Sequence, residues 1–404
     1  MTEASAPAVT GGPGGGRSWR SAAGAWLGIG TAPGALVLGA QVGGRHDGAL
    51  PVAVLVAGGA VMAWLLAAQG RLGLREPAGE NAGLSELTPR YLPPAAERTV
   101  TALLAISMIG WFGFNVGLGG AAAAALGGVP DPAGVVALAV PTVAVLLAGG
   151  GRWNAVAVVT TLTSIALIAI VAVRLAPPDA PVTFARDGPG GLVADLAGFI
   201  GYVSVFALRA PDFTVGLRGR ADLAACVALL VGPALAASVV GAGVAAASGS
   251  TDVVAVLAGP DGLPVANLFV AASVIAPTLA AVHSGVLALR RLLPARLGGA
   301  HAQAVLLIAG PGTVLAALRV DRLLLGWLTI LAAALPALIP PMTAEAARRR
   351  RGRPPRRVRT WIWAPGAAVA VTLTLAGHAT AAPVGLAVSA VATFVHFRLS
   401  RRRS

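Results

Sequence analysis

The residues best suited to chemistry are Trp111 and Asn115, in the apolar stretch IGWFGFNVGLGG from Ile109 to Gly120. Four residues make about one helical turn, so in a helix the indole and the amide lie on the same face. An aromatic ring can stack on a flat molecule, and an amide both donates and accepts hydrogen bonds. The pair therefore suits a planar ligand with a polar rim. The alternatives are core packing for Trp111 and an interhelical hydrogen bond for Asn115.

The composition shows what kind of chain carries this pair. Of its 404 residues 56% are hydrophobic and 11% are charged, with a mean hydropathy of +0.79. Soluble domains carry about 25% charged residues. A chain this apolar is expected to be an integral membrane protein. Its single cysteine, Cys226, excludes a disulfide within the chain and a cysteine metal cluster.

Apolar runs between charged loops predict an all-α protein with about twelve transmembrane helices, since about 20 apolar residues cross a bilayer. Residues 1–16 are rich in Gly, Pro, Ala and Thr, which predicts a disordered tail. The expected spans are 22–43, 50–70, 100–127, 133–150, 153–174, 192–209, 223–248, 265–289, 301–318, 322–342, 361–379 and 381–397.

Arginine distribution predicts the orientation of these spans. With both termini in the cytoplasm, 25 of the 30 basic residues lie in cytoplasmic segments, as the positive-inside rule requires. The net charge of +14 thus needs no nucleic acid to explain it. The basic loop 343–360 contains the run RRRRGRPPRRVR, for which we expect contact with anionic lipid headgroups.

Two spans carry residues that interrupt helices. Span 1 contains Pro33 and Gly34 at mid-membrane, and span 6 contains Gly201 early and Pro211 late. Interrupted helices in matching positions of two five-span halves are typical of inverted-repeat transporters, whose substrates bind at the unwound backbone. The two halves would be 17–174 and 192–342, followed by the basic loop and two extra spans within 361–404. The alternative is that Pro33 and Gly34 merely kink a packed helix.

Four motifs in order resemble the cytosine permeases, members of the nucleobase–cation symporter (purine-cytosine permease) family. The motifs are IGWFGFNVG in span 3, PDF with Arg218 and Arg220 at the end of span 6, LLLGWLTILAAALPALIPPMTAEAARRRR in span 10 and its following basic loop, and LAGHATAAPVGLAVSAV in the final hairpin. The resemblance runs from about Arg17 to Arg398. It implies a leucine-transporter-type fold, with two inverted five-helix repeats and two extra helices. It also implies a plasma-membrane permease for a nucleobase such as cytosine, or a related flat heterocycle.

The resemblance assigns roles to residues in spans 1, 3 and 6. Trp111 would stack on the base, and Asn115 would match an amide-like edge. The family's second aromatic residue aligns with Val203, which has an aromatic neighbour at 202 and another at 206. The implied substrate-binding set is Trp111, Asn115, Gly34, Ala35, Tyr202, Val203 and Phe206.

The ion-coupling pattern departs from that family. Its span 8 carries an Asn-x-x-Thr-Thr pattern for Na⁺, where this chain has Pro277, Ala280 and Ala281. The candidate ion-coupling residues that remain are Thr278, His283 and Ser284. Because His283 is an ionisable residue within a span, H⁺ is a candidate coupling ion beside Na⁺.

The charged residues at the end of span 6 have a separate interpretation. Asp212 and Arg218 are expected to fix a loop or form an inner gate.

Two other functions stay open on the sequence. One is a transport-deficient membrane sensor or accessory protein, which the altered span 8 favours. The other is an amino-acid carrier of the same fold. An enzyme is not expected, because the chain shows no paired carboxylates, no nucleophile with a base at a suitable spacing and no phosphate-binding glycine loop. The glycines at 117, 119 and 120 are interpreted as helix-packing residues.

Overall fold

The structure is a computed structural model that describes residues 16–148, 153–175, 181–184, 189–259, 263–293, 301–378 and 380–402. The tail predicted for residues 1–16 lies outside this part of the chain except for Gly16. Within it, two short strands, β1 (Leu50–Pro51) and β2 (Val182–Thr183), pair in parallel, and nearly all the remaining regular structure is helical.

The helices follow the predicted order of spans. Eight spans are long and apolar enough to cross a bilayer, and four shorter apolar helices complete the set of twelve within the described residues. The helices of spans 1–5 are α1 (Trp19–Gly30) with α2 (Pro33–Gly43), α3 (Val52–Gly73), α5 (Pro94–Gly127), α6 (Asp131–Ala148) and α7 (Trp153–Arg174). Those of spans 6–9 are α8 (Pro189–Thr214), α9 (Arg220–Ser248), α11 (Ala266–Ser273) with α12 (Ile275–Leu292), and α13 (His301–Ala317).

The helices of spans 10–12 are α14 (Leu324–Ala334) with α15 (Ile339–Arg349), α16 (Thr360–Leu375) and α17 (Ala381–Arg402). Between spans lie two short helices, α4 (Leu84–Tyr91) and α10 (Val253–Ala258). Two 3-10 turns, Val320–Leu323 and Pro336–Leu338, precede α14 and α15.

The spans pack as two groups with a cavity between them. In the first group, α3 packs along α8, and both α1 and α2 pack along α9. In the second, α5 packs against α6, α12 and α13. Spans 11 and 12 pack on each other and against α14 at the side of the bundle. The cavity is therefore bounded by spans 1 and 6 on one side and by spans 3 and 8 on the other.

Span 1 is interrupted, as its sequence predicts. The α1 helix ends at Gly30 and α2 begins at Pro33, whose ring nitrogen has no hydrogen to donate. Thr31 and Ala32 between them are both buried. The Thr31 backbone N–H and hydroxyl both donate to the Leu27 carbonyl, each at 2.9 Å, which closes the end of α1.

Span 6 is not interrupted, so the prediction of a break there was wrong. The α8 helix runs through both Gly201 and Pro211 to Thr214. A Cβ on Gly201 would lie 1.9 Å from the Leu328 carbonyl oxygen of α14. The glycine therefore permits close packing of spans 6 and 10, and the proline is tolerated as prolines in membrane helices are.

Spans 8 and 10, expected to be continuous, are interrupted instead. Span 8 breaks at Val274, three residues before Pro277, and span 10 breaks at Leu335, next to Pro336. The backbone N–H groups of the first turn of a helix have no partner within that helix, so a proline there loses no hydrogen bond. The second half-helix can therefore begin at the proline. The prolines of these two spans were the signal that sequence reasoning passed over.

Glycines of α5 bring the neighbouring spans close to it, as interpreted from the sequence. A Cβ on Gly119 would lie 2.3 Å from a Val274 methyl group, and one on Gly120 would lie 2.6 Å from the Val135 Cα. A Cβ on Gly110 would lie 2.1 Å from the ring of Trp327 in span 10. Small residues thus set the distance between span 3 and its neighbours.

The loops gather on two faces of the bundle. On the N-terminal face, residues 16–18, 74–93, 215–219 and 350–359 are joined by backbone hydrogen bonds, including one of 2.9 Å from the Arg75 N–H to the Leu217 carbonyl. On the opposite face, residues 44–51 and 181–183 meet through a bond of 3.0 Å from the Leu50 N–H to the Pro181 carbonyl. These two groups of loops define the N-terminal face and the opposite face of the bundle.

Candidate functional site

A cavity of about 90 Å³ lies where the interruption of span 1 faces α5, α8 and α12. This volume holds several water molecules, since one needs about 10–15 Å³ on this measure. The lining residues are Ile29, Ala32, Gly34, Met108, Trp111, Asn115, Tyr202, Val205, Phe206, Arg209, Phe213, Pro277, Ala280 and Ala281. The cavity is therefore mostly apolar, with a few polar groups, as expected of a small-molecule site.

Aromatic rings form one end of the cavity. The Trp111 ring lies edge-on to Phe114 and to Tyr202, with centroids 5.6 and 5.9 Å apart. Phe206, one helical turn after Tyr202 on α8, packs with its centroid 4.7 Å from that of Phe213. Trp111 is only partly buried, so part of its ring surface is open to the cavity.

The structure separates Val203 from this group. Val203 is fully buried in the core and is not among the lining residues. The prediction that placed Val203 at the cavity is corrected: the α8 aromatic residues that line it are Tyr202 and Phe206.

The interruption of span 1 contributes backbone to the cavity at Gly34. A Cβ there would lie 3.1 Å from the Phe114 ring and 3.4 Å from the Tyr202 ring, so the position has little room for a side chain. Ala35, predicted beside it, faces away: its carbonyl accepts a 3.1 Å hydrogen bond from Ser238. The Tyr202 hydroxyl donates to the Ile29 carbonyl at 3.0 Å, which joins span 6 to the end of α1.

Asn115 is the buried amide of the cavity. Asn115 is 3% exposed and lines the cavity one helical turn after Trp111. Among the described residues its side chain has no hydrogen-bond partner. Buried polar groups are nearly always hydrogen-bonded, to protein, water or ligand. Asn115 is therefore free to bind a molecule in the cavity, and the interhelical bond considered for it is not formed within the described chain.

Span 8 presents carbon atoms to the cavity. Pro277, Ala280 and Ala281 line it. The hydroxyl of Thr278 donates to the Val274 carbonyl of its own helix. Neither Thr278 nor its neighbours His283 and Ser284 line the cavity. The three predicted ion-coupling residues are thus near the cavity in sequence but are not brought into it.

The charged groups at the end of span 6 form two separate pairs. Arg209 Nε lies 3.4 Å from Asp212, whose carboxylate also accepts a 2.7 Å hydrogen bond from the Leu84 backbone. Arg218 makes two hydrogen bonds, of 3.0 and 3.1 Å, to Asp222, which raise the pKa of Arg218. Asp212 therefore fixes the start of α4, and Arg218, just before α9, binds Asp222 in the first turn of that helix. A role of either residue in an inner gate stays a prediction.

Arg209 and Phe213 are lining residues that sequence reasoning did not place in the cavity. Arg209 lies near the end of span 6, but its side chain is 13% exposed and lines the cavity. It donates to the Ser284 hydroxyl and lies over the Phe213 ring, 5.4 Å from its centroid. A charged residue within an apolar span was the available signal.

A buried carboxylate organises the N-terminal face below the cavity. Glu345 is 1% exposed and accepts hydrogen bonds from Arg348 at 2.8 Å, from Arg349 at 3.0 Å and from the Arg356 backbone at 2.7 Å. Arg349 also lies 3.9 Å from the centroid of the Tyr91 ring. These contacts join the end of span 10, the start of the basic loop and α4.

The Tyr91 hydroxyl completes this arrangement by donating to Glu80. Burial and the hydrogen bond to Glu80 together raise the pKa of Tyr91, so it stays protonated and able to donate at physiological pH.

Ion pairs close the opposite face. Arg319 binds Asp321 at 3.0 Å and also contacts Asp131, which links the start of span 10 to the start of span 4. Burial alone would lower the pKa of Arg319, but its hydrogen bonds to the two carboxylates raise it overall. Arg45 and His46 both contact Asp195 of α8, which is fully buried. The contacts with Asp131 and Asp195 join elements of different spans.

Within the described chain, no group of three or more His, Cys, Asp or Glu side chains is placed to hold a metal ion. The chain matches no family model and no curated protein sequence.

The structure is nevertheless similar to solved structures over nearly its whole length. It matches the inward-facing conformation of Mhp1 with a TM-score of 0.68 and 16% identity, covering 100% of this chain and 96% of that one. A closed conformation of Mhp1, described as a nucleobase-cation-symport-1 family transporter with bromovinylhydantoin bound, gives 0.66 and 17%, covering 97% and 96%. A substrate-bound, outward-open Na⁺-coupled sialic acid symporter gives 0.58 and 13%, covering 96% and 91%.

At these identities the likeness concerns the fold. The chain is an all-α, multi-pass membrane protein with the leucine-transporter-type fold, as its sequence predicted. The identity of any ligand has to be argued from the cavity itself.

Proposed function

We propose that this protein is a secondary transporter that carries a flat heterocycle, such as cytosine or another nucleobase, across the membrane by alternating access. The observation that supports it best is the cavity between spans 1, 3, 6 and 8. There Trp111, Tyr202 and Phe206 surround a space that also contains the unpartnered amide of Asn115. A planar base can stack on the indole and exchange hydrogen bonds with the amide.

The likeness to Mhp1 supports the same proposal. That protein is described as a transporter with a hydantoin bound, and a hydantoin is a flat ring with amide-like edges. The cavity of this chain offers aromatic rings and an amide, which suit such a ring. We therefore propose transport rather than catalysis as the activity.

A coupling ion belongs to the proposal, with Na⁺ and H⁺ as the candidates. The sialic acid symporter with this fold is described as Na⁺-coupled. Here the span 8 residues at the cavity, Pro277, Ala280 and Ala281, have no side-chain oxygen for Na⁺. Uptake driven in turn by an imposed Na⁺ gradient and an imposed H⁺ gradient would identify the ion.

We further propose that the protein lies in the plasma membrane with its N-terminal face in the cytoplasm, where anionic lipids gather. A groove of about 790 Å³ on that face is lined by Arg356, Arg357 and Arg359 together with Trp361 and Phe397. Arginines beside aromatic and aliphatic walls suit a phosphate headgroup with its acyl chain. No nucleic acid is part of the proposed function.

Uptake by purified protein in proteoliposomes tests the proposal. Labelled cytosine, uracil, hypoxanthine and hydroxymethylpyrimidine should be offered to the wild type, to Trp111→Ala and to Trp64→Ala, in which the lost ring is 46% exposed on α3, away from the cavity. We expect at least one compound to accumulate in the wild type and in Trp64→Ala, with a large loss in Trp111→Ala. If none accumulates, or if Trp111→Ala transports as well as the wild type, the proposal is wrong.

The composition of span 8 favours one rival, a membrane sensor or accessory protein that binds without transport. The same preparation separates the two. Binding of a heterocycle, seen as a rise in unfolding temperature, without flux under either ion gradient would favour the sensor. The same panel extended to amino acids tests the remaining alternative, an amino-acid carrier.

A further inference from the structure

Arg209 is the charged side chain of the cavity, and it suggests the kind of heterocycle that binds there. We infer that the substrate carries an anionic group, such as a ring carboxylate or an ionised ring imide, and that Arg209 binds this group. The inference rests on the proposed function and narrows its substrate class.

The position of Arg209 suits this role. On α8 it lies three residues after Phe206 and seven after Tyr202, so it follows the aromatic residues by one to two turns on the same helix. Its side chain is 13% exposed and lines the cavity with theirs. A ligand stacked on Trp111 would thus have its ring among aromatic side chains and could direct one edge towards the guanidinium.

The contacts of Arg209 leave part of the guanidinium available. Its Nη1 donates to Ser284, its Nε lies 3.4 Å from Asp212, and the group covers the Phe213 ring. No further hydrogen bond from Arg209 is found among the described residues. A guanidinium has five N–H donors in a planar fork, which matches the two oxygens of a carboxylate. The protein therefore holds the group in place without using all of its donors.

The rest of the cavity favours negative charge as well. No Asp or Glu is among its described lining residues. Gly34 belongs to the first turn of α2, and the amino-terminal end of a helix carries a partial positive charge. The Asn115 amide can donate to an oxygen of the ligand. A cation would find a positive side chain and no carboxylate, whereas an anion would find donors at both ends of the cavity.

Asp212 explains how Arg209 is tolerated before the ligand binds. A buried charge without a counter-charge is costly, and the nearby carboxylate reduces that cost. The Nε–Asp212 separation of 3.4 Å is longer than the usual charge-assisted hydrogen bond of about 2.7–2.9 Å. An anionic ligand would give the guanidinium a second, closer partner.

Matched ligand pairs test the inference. Orotate and uracil share one ring and differ in a carboxylate, and nicotinate and nicotinamide carry a carboxylate and a neutral carboxamide at the same ring position. Binding to the full-length protein in lipid nanodiscs would be measured by tryptophan fluorescence and by the rise in unfolding temperature. We expect the anionic member of at least one pair to bind at least tenfold more tightly to the wild type.

Four variants locate the effect. In Arg209→Gln the preference for the anion should fall to twofold or less, and Arg209→Lys should retain part of it. In Asp212→Asn, which keeps an oxygen for the Leu84 N–H, anion binding should be unchanged or stronger. The control Arg218→Gln removes an arginine that lies outside the cavity and should keep the wild-type preference. If Arg209→Gln does not fold, Arg209→Lys decides the question: a reduced preference supports the inference, and the full wild-type preference overturns it.

The possible failures are distinguishable. Neutral and anionic rings that bind equally well through Trp111 would overturn this inference and leave the proposed function standing. An anion preference that persists in Arg209→Gln would also overturn it. Binding of neither ring of any pair, with the protein folded, would overturn the inference, and the uptake panel would then decide the proposed function separately.

Discussion

At the scale of single residues, the proposed site divides into a surface for stacking and a set of hydrogen-bonding groups. Trp111 and Asn115 carry the two functions one turn apart on α5, and Arg209 adds a charge from α8. These residues differ in what they do for the folded protein, because Trp111 packs against two aromatic rings whereas Asn115 has no partner in the described chain. Substitutions should therefore separate binding from stability.

Trp111→Ala should weaken binding of any heterocycle found by about 5- to 150-fold, because stacking on an aromatic side chain contributes about 1–3 kcal/mol. Trp111→Phe should recover part of the loss, since a smaller ring still offers a face. Equilibrium binding in nanodiscs measures both. Equal affinities for the wild type and Trp111→Ala would contradict the stacking role.

Asn115→Ala should weaken binding by about 2- to 12-fold, because one net hydrogen bond is worth about 0.5–1.5 kcal/mol. Its unfolding temperature should match that of the wild type, since among the described residues the amide has no hydrogen-bond partner to lose. The comparison is Ser238→Ala, which removes hydrogen bonds of 2.8 Å to Ala234 and 3.1 Å to Ala35 and should lower the unfolding temperature. A large destabilisation by Asn115→Ala would show that the amide has a structural role instead.

At the scale of elements, the helices are positioned by contacts between backbones. Glycines replace side chains where spans cross: Gly39 of α2 meets Ser238 of α9, and Gly201 of α8 meets Leu328 of α14. In a membrane, where lipid is as apolar as the helix surface, such close packing is a main source of association between helices. The cavity exists because these contacts hold spans 1 and 6 in fixed positions opposite spans 3 and 8.

Gly39→Ala should lower the unfolding temperature strongly, because its new Cβ would lie 1.9 Å from the Ser238 carbonyl oxygen. The matched control is Gly232→Ala in the middle of α9, where a Cβ would meet nothing within 4 Å. That change should be neutral or stabilising, by up to about 1 kcal/mol from helix propensity. Thermal unfolding in one detergent compares the pair, and equal effects would argue against the close contact.

Glu345→Gln should expose the basic loop to trypsin. The carboxylate binds two arginine side chains and the Arg356 backbone, and a neutral amide holds them less well. Cleavage within residues 350–359 should become several times faster. Glu86→Gln is the control, because that carboxylate is 59% exposed in a surface pair with Arg90 and such pairs contribute little. Unchanged cleavage in Glu345→Gln would contradict the organising role of this residue.

The sequence predicted the elements better than the details of the site. Hydropathy located the twelve spans, and Pro33 with Gly34 correctly predicted the interruption of span 1. The break predicted at Gly201 was wrong, because in a sequence a glycine that permits close packing cannot be distinguished from one that ends a helix. The direction in which a side chain points depends on how its helix is rotated about its own axis. That rotation is set by packing against helices that are distant in the chain. This is why Val203 and its neighbour Tyr202 could not be told apart beforehand.

At the scale of the whole molecule, the two loop faces are held in different ways. Ion pairs between spans close the opposite face, whereas backbone hydrogen bonds and the contacts of Glu345 organise the N-terminal face. The N-terminal face also carries most of the arginines, which favours a cytoplasmic location for it.

Thiol labelling tests this orientation, and the native chain is well suited to it because its one cysteine, Cys226, is fully buried. Cysteines should be introduced singly at Arg351 on the N-terminal face and at Thr251 on the opposite face, both of which are exposed. In intact cells a membrane-impermeant reagent should label Thr251→Cys, and it should label Arg351→Cys only after lysis. The reverse pattern would invert the proposed topology.

The way span 1 is held has a mechanical consequence. Both of its halves lie against the same uninterrupted helix, α9: a Cβ on Gly30 of α1 would lie 2.4 Å from the Leu230 carbonyl oxygen, and one on Gly39 of α2 would lie 1.9 Å from the Ser238 carbonyl oxygen. The interruption at Thr31 is therefore not a hinge, because neither α1 nor α2 can rotate independently of α9. We therefore expect any motion that opens the cavity to carry α1, α2 and α9 together along their contact with spans 3 and 8.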